Sequence, residues 1–104
     1  MTKQASSLDG LRLSSLDTGS LIDLHTRSRR YRIEYLEADR VRISGHPQWC
    51  PTPVLARLYG SKGGSDGFEE GYIGCWMRLL FERLDDCTPV TTSEITDIRV
   101  INLN

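Results

Sequence analysis

No apolar run in this chain approaches the roughly 20 residues that a membrane-spanning helix requires. The best, Cys75 to Phe81, is short and interrupted by Arg78, so a membrane is not an expected partner. Cysteine and proline are scarce, with three and four residues in 104. Cys50, Cys75 and Cys87 are odd in number and include no Cys-x-x-Cys pair, which argues against a disulfide framework and against structural zinc. The first residues, Met-Thr-Lys-Gln-Ala-Ser-Ser, lack the apolar stretch of a secretory signal, so a reduced, cytoplasmic setting is expected. Neither sign of charge dominates. Thirteen Lys and Arg stand against fourteen Asp and Glu, a net charge of −1, so bulk charge does not point to a polyanion binder. The glycine-rich residues 60–67 contain no Gly-x-x-x-x-Gly-Lys-Ser/Thr pattern, because Lys62 precedes Gly63 and Gly64. No nucleotide or other cofactor is expected.

What the chain does contain is alternation. Arg30 to Leu36 and Arg40 to Ser44 alternate apolar and polar residues on either side of Glu37-Ala38-Asp39, the pattern of a half-buried β-hairpin. Pairing across a three-residue loop sets Tyr35 against Val41 and Ile33 against Ile43 on an apolar face. Leu36 then meets Arg40, Glu34 meets Arg42 and Arg32 meets Ser44 on the other face. Tyr31, Ile33, Tyr35, Val41 and Ile43 are therefore the expected inward residues.

After a rigid loop with three prolines, Gly45 to Pro53, a third strand is expected at Val54 to Tyr59, with residues apolar enough to be buried on both faces. Residues 60–67 read as a flexible connection, having four glycines in eight positions. In Gly71 to Leu84, Ile73, Cys75, Met77, Leu79 and Phe81 alternate, which suits one long strand bent at Gly74. Helix competes over residues 76–84, where Trp76, Leu79, Leu80 and Arg83 fall at helical spacing; the longer alternation favours strand. The end of the chain reads as a short strand near Val90, a tight turn over Thr92 to Ile95, and a last strand from Asp97 to Ile101.

This pattern predicts a mainly all-β domain over residues 26–104, a small antiparallel barrel of five or six strands with little helix. Its long central strand and its last strand entered through a tight turn resemble an SH3-like barrel in architecture, with no motif and no functional residue carried across. Residues 1–25, with Ser-Ser-Leu-Asp at both Ser6 and Ser14, are expected as a flexible arm, whose Leu8, Leu11, Leu13 and Leu16 could instead order against a partner.

Candidate chemistry is thin. His25, His46, Cys50, Cys75 and Cys87 lack the close ligand pairs of a zinc site, and no metal is expected. Cys50 with His46 or His25 as base is the one enzymatic arrangement on offer, but Pro47 and Pro51 would have to aim both side chains inward. The stronger candidate is arginine, which makes up eleven of the thirteen basic residues. Residues 27–59 hold seven Arg against Glu34, Glu37 and Asp39, while residues 60–104 hold four basic and eight acidic residues. Arg30, Arg32, Arg40 and Arg42 share one face of the hairpin, with Arg27 and Arg29 leading into it. With Trp49 and Tyr59 as stacking rings, they could follow an RNA or DNA backbone. The favoured reading of the same residues is a solvated face stitched by cross-strand ion pairs such as Glu34 with Arg42. The expectation is a non-enzymatic binding or assembly module that meets a protein partner or a second copy, with nucleic acid as the alternative and a Cys/His enzyme behind both.

Overall fold

The computed structural model describes residues 5–63 and 67–101. Among the described residues, ten strands run in the order β1 (Ala5–Leu8), β2 (Gly10–Arg12), β3 (Leu21–Thr26), β4 (Arg30–Glu37), β5 (Arg40–Ser44), β6 (Val54–Gly63), β7 (Gly67–Glu70), β8 (Tyr72–Gly74), β9 (Arg78–Arg83) and β10 (Pro89–Ile101). The described helical content is a single 3₁₀ turn at Leu13–Ser15. All the pairings are antiparallel. β3, β4, β5 and β6 are successive neighbours, β9 joins β6 to β10, and β10 returns to β3, so six strands close a ring. β1 adds to β10, β7 adds to β6, and β2 pairs with β8 as a separate two-stranded sheet.

The ring follows from period-2 alternation. Tyr31, Ile33 and Tyr35 on β4 and Val41 and Ile43 on β5 point inward and are buried, as their spacing predicts, and Ile22 and Leu24 on β3, which lay in the expected arm, join them. Ala56 and Leu58 on β6, Leu79 and Phe81 on β9, and Ile95 and Ile98 on β10 complete the core. Each large aliphatic side chain removed from water contributes about 1.5–3 kcal/mol, the main force drawing the strands into a ring. Tyr31 and Phe81 meet edge to face across the interior, ring centroids 6.1 Å apart. Burial pushes the Tyr31 phenol up to about 12.

The hairpin register matches expectation except at its tip, where Glu37 rather than Leu36 opposes Arg40. The turn is two residues, Ala38 and Asp39, with Ala38 at φ 52, and a bulge at Leu36 absorbs the extra residue.

Other expectations are corrected. The segment read as a flexible arm is, in its described part, built into the sheets as β1, β2 and β3. Its leucines are the reason: Leu11 and Leu13 are buried and Leu8 and Leu16 pack on the same core, so the partner they order against is the chain's own ring. Residues 1–4 lie outside the described residues. The expected glycine-rich connection is instead the extension of β6 to Gly63 and its return as β7; residues 64–66 at its centre are outside the described residues. β6 is not buried on both faces, since Leu55 is 48% exposed. The strand preferred over helix at residues 76–84 is present as β9, yet the single strand from Gly71 to Leu84 is broken. Trp76 takes φ 68, and Cys75 to Met77 form a turn that separates β8 from β9, leaving Cys75 half-buried at the edge of the core. At the end of the chain the tight turn is absent. β10 runs unbroken for 13 residues and bends through two register shifts, pairing first with β9 and then with β3.

Candidate functional site

The outer face of β3, β4 and β5 carries the candidate arginines because alternation sends their neighbours inward. Arg30, Arg32, Arg40 and Arg42 are all exposed. Asp23 on β3 stands beside this row, opposite Arg32 in register, and accepts two hydrogen bonds from Arg30, from Nε and Nη2, each 2.8 Å. That guanidinium contact holds the Asp23 carboxyl below the usual carboxylate range. Arg42 Nη1 donates to Glu34 Oε1 at 3.0 Å, across the hairpin. Arg32 and Arg40 make no ion pair among the described residues. Half of the expected ridge is therefore already occupied by carboxylates; of the other two arginines, Arg32 stands between Asp23 and Ser44, its charge also lowering the Asp23 carboxyl, and Arg40 stands opposite Glu37.

The rings do not join that row. Tyr59 lies beyond Arg57 at the Arg40 end, where its hydroxyl donates to Glu82 Oε1 at 2.8 Å. Trp49 sits in the loop that follows Ser44, at the opposite end. It is half-buried, with its carbonyl accepting from Arg83 Nη1 at 3.2 Å and its ring 6.4 Å from His46. The charge asymmetry along the sequence is also resolved locally. Arg42 with Glu34 and Arg57 with Asp39 pair inside the basic segment, Arg30 takes Asp23 from before it, and Arg27 with Glu94 crosses to the acidic half.

The cysteine and histidine arrangement is turned away from catalysis by its own loop. His46 and Cys50 are bridged through their backbones, Cys50 N–H donating to the His46 carbonyl at 3.0 Å and Gly45 N–H to the Cys50 carbonyl at 2.9 Å. His46 Nδ1 accepts the N–H groups of Gln48 and Trp49 at 3.1 and 3.2 Å, which occupies the nitrogen a base would use. Burial, aided by Arg29, keeps the imidazole below its ordinary range, and burial pushes the Cys50 thiol up. A fully buried thiol with a raised pKa is a poor nucleophile. Among the described residues, no three or more His, Cys, Asp or Glu side chains are grouped to hold a metal ion.

The feature that residue-type reasoning passed over is apolar. Leu36, Leu55 and Leu84, with Thr18, Glu37 and Arg40, line a depression of about 350 Å³ on the outside of the ring. Leu55 is 48% and Leu84 37% exposed. The backbone beneath them is satisfied: Leu84 N–H donates to the Leu55 carbonyl at 3.1 Å, and Thr18 Oγ1 donates to the Leu36 carbonyl at 2.7 Å. The sequence signal was leucine on the polar phase of two strands, Leu36 among the arginines and Leu55 between Val54 and Ala56. Leu84 carried no such signal. A wider groove of about 640 Å³ opens where the N-terminal segment meets the ring, with Leu13, Leu58 and Tyr35 lining it beside Arg12, Asp39, Tyr59 and Glu70.

Among the described residues no helix is long and apolar enough to cross a membrane. Compared with family models, with curated proteins and with solved structures, the chain finds no significant match.

Proposed function

We propose that this chain is a non-enzymatic protein-association module, an SH3-like ring of strands working in the cytoplasm without a cofactor. The observation that carries this is the leucine depression of β4, β5 and β6. Three leucines meet on an outer face whose alternation otherwise places charged residues there, and the carbonyls of Leu36 and Leu55 beneath them are already bonded. The apolar centre of such a surface gains free energy when a partner covers it, with Glu37 and Arg40 left at its rim. Free thiols at Cys50, Cys75 and Cys87 are in keeping with a reducing compartment.

Nucleic-acid binding has weaker support, because Arg30 and Arg42 are held by Asp23 and Glu34, and Trp49 and Tyr59 stand at opposite ends of the face. Native mass spectrometry of the protein purified from its own cells tests association. The expected result is a species heavier than the monomer that Leu55→Glu dissociates while the circular dichroism spectrum is unchanged. A monomer that neither self-associates nor carries a partner removes the proposal. Oligonucleotide binding that falls steeply with salt and is lost in Arg32→Glu with Arg40→Glu would replace it with the nucleic-acid alternative.

A further inference from the structure

Two opposite charges sit on the rim of the leucine depression. Glu37 and Arg40 are register partners across the β4–β5 turn, both exposed, and neither makes an ion pair among the described residues. Their neighbours differ. Arg42 is bound to Glu34 at 3.0 Å and Arg57 lies 3.3 Å from Asp39, so those charges are already spent within the chain. The depression thus offers an apolar centre with one free anion and one free cation beside it.

From this we infer that the occupant of the depression is a second copy of the chain, docked about a two-fold axis with Glu37 of each copy facing Arg40 of the other. This rests on the association reading above and names its partner. A two-fold contact must be self-complementary, because the same patch supplies both sides. A patch carrying one charge of each sign meets that condition, whereas a strongly acidic partner would face Glu37 and a strongly basic one Arg40, each at the cost of like-charge contact. The leucines stack at the centre, where Leu36, Leu55 and Leu84 of one copy cover those of the other. Thr18 does not interfere, since its hydroxyl is committed to the Leu36 carbonyl. The polar rim around a dry apolar centre is the usual anatomy of a specific interface.

The test is sedimentation of the whole chain across a wide concentration range, with Leu55→Glu, Arg40→Glu, Glu37→Arg and the double variant Glu37→Arg with Arg40→Glu, each checked for native circular dichroism. Wild type is expected as a reversible monomer–dimer mixture and Leu55→Glu as monomer. Each single charge reversal is expected to weaken the dimer about tenfold, and the double variant, which restores opposite charges across the axis, to recover it. A dimer indifferent to Leu55→Glu, or a double variant weaker than either single one, overturns the inference. If wild type is monomeric while a copurifying protein is lost on Leu55→Glu, the second-copy inference fails and the association reading stands. If neither self-association nor a Leu55-dependent partner is found, both fail.

Discussion

Thr92 Oγ1 accepts the backbone N–H of Leu79 at 3.0 Å, so a side chain takes over a hydrogen bond at the place where the β9–β10 ladder changes register. Thr92 and Leu79 are both buried, and the same hydroxyl donates to the Ser93 carbonyl at 2.7 Å. Past this point β10 is held by the turn that precedes β9, with Ile95 N–H donating to the Met77 carbonyl and Trp76 N–H to the Ile95 carbonyl, both at 2.7 Å. The bend that lets one strand serve both sides of the ring therefore depends on a hydroxyl.

Thr92→Val keeps the shape and removes that hydroxyl, leaving the Leu79 N–H buried without an acceptor. The expected loss is about 1–3 kcal/mol in equilibrium urea denaturation, with Thr92→Ser much closer to wild type. A valine variant as stable as the serine one would show that the bend does not rest on this bond.

Gly60 has φ +146 at the register shift where β6 passes from β5 to β7, and a Cβ there would run into the Glu69 carbonyl oxygen. Gly60→Ala is expected to cost at least about 1–3 kcal/mol through strain and collision. The loss should appear in thermal unfolding and, because β7 must move, as faster amide exchange at Glu69 and Glu70. Wild-type stability in this variant would mean that β7 is not seated on Gly60.

His46 makes the loop after β5 sensitive to pH. Its neutral imidazole accepts two backbone N–H groups and its folded pKa lies below the ordinary 6.5, so its contribution is present above the unfolded value and is lost as pH falls through the folded one. His46→Asn supplies an amide oxygen in place of Nδ1 and does not titrate. Unfolding followed from pH 7 downward to pH 5 should show wild type losing stability relative to this variant, while their difference stays constant above pH 7. Parallel curves throughout would mean that His46 protonation is not linked to folding.

The hairpin, its register and its inward side chains Tyr31, Ile33, Tyr35, Val41 and Ile43 were legible because alternation and turn length are local properties, readable within 15 residues. The all-β class and the strand character of Arg78–Arg83 followed from the same periodicity. Local pattern could not place Leu11 or Ile22, which pair with Ile73 and Val100, residues far away along the chain. Nor could it show that Thr92 to Ile95 bend without turning back, since the groups that hold the bend come from Met77 and Leu79. The candidate site divides in the same way. That arginines line one face of a hairpin is written in the sequence. That Asp23 binds Arg30 depends on β3, a segment read as an arm, pairing with β4; that Leu36, Leu55 and Leu84 converge around Glu37 and Arg40 depends on β9 pairing with β6, which sets strands side by side that are distant along the chain.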